Sequence, residues 1–249
     1  MGRQRNTLTD KGIYLLPSFL TVMAMFSGFY AIIAGIKGMF DTACVAVFLA
    51  MLFDSLDGRV ARLVNTETAF GAELDSLSDM LCFGVTPAVL LYLWNLSYLG
   101  KLGWLAAFTY TVAVALRLAR FNTMSGGQSK RFFQGLASTA AAGFVAGGLF
   151  VGDRYNIGGH WVDVTTAMLT FVISGLMVSN VPYRSFKDID LRGKMSFLAP
   201  CLLVLVVVLI VLEPAEFLCS IFTLYALSGP IGYLAHLTRK KLRKKRHAP

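Results

Sequence analysis

Of the 14 acidic residues in this chain, six fall in one short stretch: Asp54, Asp57, Glu67, Glu73, Asp75 and Asp79. Asp54 and Asp57 are spaced i, i+3, and Asp75 and Asp79 i, i+4, so each pair shares one face wherever its segment is helical. Carboxylates gathered in one pocket suit hard divalent cations such as Mg²⁺ or Mn²⁺, which prefer oxygen ligands. Two such ions a few ångströms apart suit phosphoryl transfer. The small residues Gly58, Ala61 and Gly71 in the same stretch would let a bulky polar group approach the backbone closely.

The elements that must position these acids are membrane spans. Hydrophobic residues make up 56% of the 249-residue chain and charged residues only 15%, with a mean hydropathy of +0.63. Six runs lack Asp, Glu, Lys and Arg: Ile13 to Ile36, Met80 to Leu99, Phe132 to Gly152, Val164 to Tyr183, Met195 to Leu212 and Phe217 to Ala235. Each is close to the ~20 residues that cross a hydrocarbon core. Two further segments, about Thr42 to Val64 and Leu102 to Asn122, acquire charge only toward their C-terminal ends. The expected fold is therefore all-α, a polytopic membrane helical bundle of about eight transmembrane helices in a single integral membrane domain over residues 1–249.

With eight spans, 20 of the 23 Lys and Arg residues fall on one side, and only Lys37, Lys101 and Arg154 on the other. Because basic loops resist translocation, this bias predicts cytoplasmic termini and a cell (inner) membrane protein. The formal charge of +9 is spread over membrane-flanking loops, with no aromatic-basic module to suggest a nucleic-acid partner. The basic tail Arg239 to Arg246 reads as a solvated stop-transfer flank, to which attraction to the anionic heads of membrane lipids adds about 1 kcal/mol per residue near the surface. Cys44, Cys82, Cys201 and Cys219 are scattered through apolar segments and read as buried thiols. The histidines His160, His236 and His247 have no second ligand nearby in sequence. Gly143 and Gly147 form a G-x-x-x-G step, which allows two helices to approach closely.

On this topology Asp54 lies about 12 Å inside the membrane level of Arg62, and Asp79 about as far from Gly71, at 1.5 Å per residue. A carboxylate at such depth costs ~2.5 to 3.5 kcal/mol on insertion scales, so four of them need compensation. Arg59 and Arg62 could supply part of it through a helix-helix salt-bridge network, but divalent metals suit the donor set better. A cation transporter or channel is the alternative of another class, since intramembrane aspartates also line ion paths. Against it, the acids sit near one face on one helix pair, and the last four spans carry no matching acidic pair.

Read together, Asp54-x-x-Asp57-Gly58-x-x-Ala61-Arg62, eight residues, then Gly71-x-x-x-Asp75-x-x-x-Asp79, the stretch resembles the signature of the CDP-alcohol phosphotransferase family at every fixed position. FGAELDSLSDMLCFGVTPA at Phe70 to Ala88 and ALRLARFN at Ala115 to Asn122 resemble its branch of CDP-diacylglycerol–serine O-phosphatidyltransferases. That branch usually carries Asn at Ser18, Ala at Thr86 and a GLPSP-like string where this chain reads GLAST, Gly135 to Thr139.

The resemblance implies a homodimeric enzyme whose first six spans, about 13–183, form the catalytic core, followed by two extra spans over 195–236 and a basic cytoplasmic tail over 237–249. It implies transfer of the phosphatidyl group from CDP-diacylglycerol to L-serine with release of CMP. Asp54, Asp57, Asp75 and Asp79 correspond to ligands of two divalent cations (Mg²⁺ or Mn²⁺), Asp79 also to the catalytic base, and Gly58, Ala61, Arg62 and Gly71 to positions binding the CDP-lipid. Serine brings a carboxylate, for which Arg117, Arg120 and Asn122, with Lys130 and Arg131 in the following loop, are candidates; the same arginines could instead hold the lipid phosphate. Glycerol phosphate, inositol phosphate, inositol and choline are alternative acceptors for the same chemistry.

Overall fold

The computed structural model describes residues 7–64, 68–124, 132–184, 208–210 and 212–246. Its helices are α1 (Thr7–Ile36), α2 (Phe40–Val64), α3 (Ala69–Asp79), α4 (Thr86–Trp94), α5 (Lys101–Met124), α6 (Ser138–Arg154), α7 (His160–Val178) and α8 (Pro214–Arg246). A π-helical turn, Met80–Val85, joins α3 to α4, and a 3₁₀ turn, Leu96–Leu99, leads into α5. Two short antiparallel strands, β1 (Phe132–Gln134) and β2 (Pro182–Arg184), pair Phe133 with Tyr183.

Among the described residues, five stretches are long and apolar enough to cross a membrane: Pro17–Ile36, Ala69–Trp94, Lys101–Thr123, His160–Val178 and Pro214–Tyr233. The chain is a polytopic helical membrane protein. Large apolar side chains such as Phe26, Phe29, Leu52, Trp104 and Phe108 are exposed on the outside of the bundle, where lipid would meet them. The contact between α1 and α2 is instead built from small residues. Ala24, Ala31 and Ala34 of α1 and Ala43, Ala46 and Ala50 of α2 are all buried, so these two antiparallel helices lie close together. Gly38, at φ +73°, turns the chain between them in the left-handed region that L-side chains rarely adopt.

The third span differs from the expected Met80 to Leu99. It starts a full α3 earlier, at Ala69, because Thr68 caps the helix: its Oγ1 accepts a 3.0 Å hydrogen bond from the Gly71 N–H. The span then bends through the π-turn, where side-chain hydroxyls meet backbone carbonyls. Tyr110 donates to the Phe83 carbonyl at 3.1 Å, and Thr86 Oγ1 lies 2.9 Å from the Leu81 carbonyl and 3.2 Å from that of Gly28 in α1.

The runs beginning at Phe132 and ending at Tyr183 are each shorter as helices than their apolar content suggested. Their outer ends form β1 and β2, and Gly135, at φ +82°, breaks the chain before α6. A side chain at Gly135 would collide with the Met177 carbonyl, while its N–H donates to the Val181 carbonyl at 2.9 Å. The G-x-x-x-G step on α6 packs against α8: a Cβ at Gly143 would meet the Phe222 ring, and one at Gly147 would lie 2.8 Å from Cys219 Cα. Cys44 and Cys82 are buried free thiols and Cys219 is half-buried. Most of the expected span Met195 to Leu212, with Cys201, lies outside the described residues.

Candidate functional site

The i, i+3 pair on α2 and the i, i+4 pair on α3 face one another. One carboxylate oxygen from each of Asp54, Asp57 and Asp75 lies within 4.8 Å of the others. Asp79, one turn deeper on α3 than Asp75, places its carboxyl group beside that of Asp54. Asp57 is only 4% exposed, while Asp54, Asp75 and Asp79 are half-buried. One residue of α1, Thr21, fixes the arrangement through two hydrogen bonds. The Thr21 hydroxyl donates to Asp57 Oδ2 at 2.8 Å, and the Thr21 carbonyl accepts from Ser78 Oγ at 3.4 Å.

This donor set fits a hard cation. Oxygens bound to one Mg²⁺ or Ca²⁺-sized ion at about 2.0 to 2.6 Å can be no more than roughly 5 Å apart, which the three-aspartate group satisfies. Asp79 Oδ1 is buried and accepts no hydrogen bond from an N–H or alcohol group, leaving the Asp54 carboxyl as its polar neighbour. Among the described residues, neither Arg59 nor Arg62 is ion-paired, and the salt bridges present, from Arg154, lie at the other end of the bundle. The helix-helix salt-bridge network therefore does not compensate these acids. The Asp54, Asp57 and Asp75 cluster could bind a metal.

The remaining expected site residues divide by position. Gly58 is exposed, with open space where a Cβ would stand, and Arg62 is exposed one turn further on, beyond half-buried Ala61. Gly71 has a more local part, since its N–H completes the Thr68 cap. Arg117 reaches toward the acids from α5: its guanidinium acts electrostatically on Asp79, and its Nη1 donates to Ser138 Oγ at 2.7 Å. Arg120 donates from Nη2 to Asn180 Oδ1 at 2.7 Å, and Asn122 from Nδ2 to Ser76 Oγ at 3.0 Å. The last bond ties the end of α5 to the α3 face next to Asp75. Lys130, Arg131 and Glu67 lie outside the described residues.

Thr21, Ser138 and Asn180 did not stand out in the sequence. Thr21 sits within an unbroken apolar run, and the only signal there is a hydroxyl at the depth of the acids. Ser138 opens α6 just after the Gly135 turn, and Asn180 lies between α7 and β2, where the apolar pattern runs on as helix and marks neither boundary.

Comparison with known proteins agrees with this geometry. Residues 14–181 match the family model described as CDP-alcohol phosphatidyltransferase. The chain is 34% identical over 226 residues to a CDP-diacylglycerol–serine O-phosphatidyltransferase of Helicobacter pylori (strain ATCC 700392 / 26695), covering 89% of this chain and 92% of the relative. It is 32% identical to the enzyme of that name from Mycobacterium leprae (strain TN), over 88% of this chain and 75% of the relative. An archaetidylserine synthase of Methanothermobacter thermautotrophicus is 34% identical over 68% of this chain and 69% of its own length. Signature, four-aspartate geometry and similarity along most of the chain agree, and the protein belongs to the CDP-alcohol phosphatidyltransferase family.

Proposed function

We propose that this protein makes phosphatidylserine, transferring the phosphatidyl group of CDP-diacylglycerol to the hydroxyl of L-serine and releasing CMP. The observation that carries the reading is the convergence of Asp54, Asp57 and Asp75 with the partnerless Asp79 oxygen beside them. The names of the similar serine transferases support the acceptor. The two-cation requirement, the homodimer and the cytoplasmic orientation belong to the same proposal, supported by the family resemblance and the basic-residue bias.

Bound to Asp54, Asp57, Asp75 and Asp79, two divalent cations would neutralise the pyrophosphate and stabilise the departing CMP. The chain's own part is positional and protonic. Gly58 presents open space beside the backbone, and with Ala61, Arg62 and Gly71 forms the surface for the cytidine diphosphate head. Asp79 takes the serine hydroxyl proton as that oxygen forms its bond to the phosphatidyl phosphorus, and the bond from phosphorus to the CMP oxygen breaks. Arg117, held by Ser138, offers a cation within electrostatic reach of Asp79, where the serine carboxylate or the lipid phosphate would lie. The acyl chains stay in the bilayer while the head group reacts.

The test is an assay of the purified protein with CDP-diacylglycerol, Mg²⁺ or Mn²⁺, and serine, glycerol phosphate, inositol phosphate, inositol and choline as acceptors. CMP release that depends on serine is the expected result. Release only with another acceptor would overturn the serine assignment and leave the phosphatidyl transfer standing.

A further inference from the structure

The third span runs as one helical rod through its π-turn. Asp79, the last residue of α3, and Thr86, the first of α4, flank the turn at φ −55°, ψ −44° and φ −57°, ψ −54°, so no loop separates the two halves. A residue gained or lost inside such a rod must appear as a rotation of one half against the other, by about 100° with a shift of about 1.5 Å. The halves are not equally held. α4 buries Thr86, Pro87, Ala88, Leu90 and Leu91, whereas α3 buries Ser78 alone. The half that would turn is therefore α3, which carries Asp75 and Asp79.

Backbone partners decide whether the extra residue stays in the turn. In an α-helix the Phe83 carbonyl would accept from the N–H of residue 87, but that residue is Pro87, which has none. The missing donor comes from outside the span: the Tyr110 hydroxyl of α5 donates to the Phe83 carbonyl at 3.1 Å. Phe83 and Tyr110 are both fully buried, so this bond is shielded from bulk solvent, and a carbonyl left unmet there costs free energy. On the other flank, Ser78, Cys82 and Thr86 donate to the Thr21, Ala24 and Gly28 carbonyls at 3.4, 3.2 and 3.2 Å. These rungs fix the contact of the rod with α1, and their acceptors all belong to α1.

We propose that Tyr110 is a positioning residue for the transfer reaction: by meeting the Phe83 carbonyl it holds the π-turn, and with the turn the direction in which Asp79 faces the other aspartates. One extra residue in a turn re-aims side chains that a regular helix would point elsewhere, and such turns recur at functional sites. The inference rests on the role proposed for Asp79 above and is independent of the acceptor.

The test uses the full-length protein in nanodiscs, saturating Mn²⁺ and whichever acceptor the wild-type enzyme uses. Tyr110→Phe removes the hydroxyl and keeps the ring. Its kcat should fall about 100-fold, what a misplacement of about 1 Å costs, while the KM for CDP-diacylglycerol stays unchanged. Mn²⁺ binding, read by calorimetry without substrates, should weaken about 10- to 100-fold, the range for groups that orient metal-binding side chains. Pro87→Ala added to Tyr110→Phe gives residue 87 an N–H that can meet the Phe83 carbonyl in an α-helical turn. The Tm lost in the single variant should then return and the kcat should not, whereas a purely structural role would return both together. Asp79→Asn, assayed alongside, separates the two readings. If it is inactive while Tyr110→Phe keeps the wild-type kcat and Mn²⁺ affinity, the positioning role falls and the base stands; a wild-type rate in Asp79→Asn takes down both. Recovery of kcat along with Tm in the double variant would also overturn the inference.

Discussion

Thr21 on α1 donates a 2.8 Å hydrogen bond to Asp57 Oδ2 on α2, so a helix that contributes no carboxylate to the cluster orients one of its members. Thr21 and Asp57 are each 4% exposed, so the bond is shielded from bulk solvent. Replacing it by valine keeps the shape and removes the hydroxyl. Groups that orient metal-binding side chains typically matter by about 10- to 100-fold in metal affinity or activity. Thr21→Val should raise the Mg²⁺ or Mn²⁺ concentration needed for half-maximal CMP release by that factor, and Thr21→Ser should restore it. A Thr21→Val enzyme with an unchanged metal requirement would reduce the bond to a packing detail.

Removing one carboxylate at a time tests the cluster itself. Asp54→Asn, Asp57→Asn and Asp75→Asn each delete a charge from a group whose oxygens lie within 4.8 Å. Each variant should insert and fold, because the substitution relieves repulsion between buried acids, yet fail to release CMP. Chelation with EDTA should abolish wild-type activity reversibly, with recovery on adding Mg²⁺ or Mn²⁺. Near-normal turnover in any two of the three variants would sink the metal-site reading.

Asp79 has a different signature. A base is needed only once the acceptor hydroxyl is to be deprotonated, and such bases contribute about 10² to 10⁴ in rate. Asp79→Asn should therefore still bind CDP-diacylglycerol, measured by calorimetry, while serine-dependent CMP release falls by that range. A wild-type rate and pH profile in Asp79→Asn would remove the proton-transfer role.

The parts of this protein that the sequence made legible are those with a rigid spacing rule. Asp54 with Asp57 and Asp75 with Asp79 obey helical spacing, and the depth argument from Arg62 and Gly71 placed both pairs at one level; the structure brings them together. Helix ends were harder, because hydropathy measures solvent preference and not backbone geometry. Phe132 and Tyr183 are apolar enough for a span, but Gly135 at φ +82° and the pairing of Phe133 with Tyr183 make that region a two-stranded clasp. Conversely, Ala69 to Asp79 carries too much charge to look like part of a span, yet the Thr68 cap makes it the first turns of one. The Thr21 bond was out of reach for a further reason: its partner lies 36 residues away, across a helix contact that no local pattern encodes.

The G-x-x-x-G step offers a test of packing apart from chemistry. A Cβ on Gly147 would stand 2.8 Å from the Cys219 backbone, which cannot yield as a side chain tip can. Gly147→Val should push α6 and α8 apart and lower stability by about 1 to 3 kcal/mol, the usual cost of overpacking. A fall in Tm measured in detergent checks it. Gly148, where a Cβ would meet nothing within 4 Å, is the control: Gly148→Ala should leave Tm nearly unchanged.

Arg117 and Arg120 are i, i+3 on α5, yet the structure gives them different surroundings, and that difference sharpens what their removal should do. Arg117 is tied to Ser138 Oγ at 2.7 Å and lies within electrostatic reach of Asp79, the proposed base. Arg120 donates to Asn180 at 2.7 Å, toward the end of α7. If Arg117 holds the serine carboxylate, Arg117→Ala should raise the KM for serine by the equivalent of about 2 to 5 kcal/mol, the cost of losing one partner of a buried charged pair. The KM for CDP-diacylglycerol should move much less, and Arg120→Ala should have the smaller effect on serine. Arg117→Lys would keep the charge but lose the planar fork that grips a carboxylate with two hydrogen bonds, so it should recover only part of the lost affinity. A rise in the CDP-diacylglycerol KM alone, for both alanine variants, would instead make these arginines phosphate ligands and move the serine site elsewhere in the pocket.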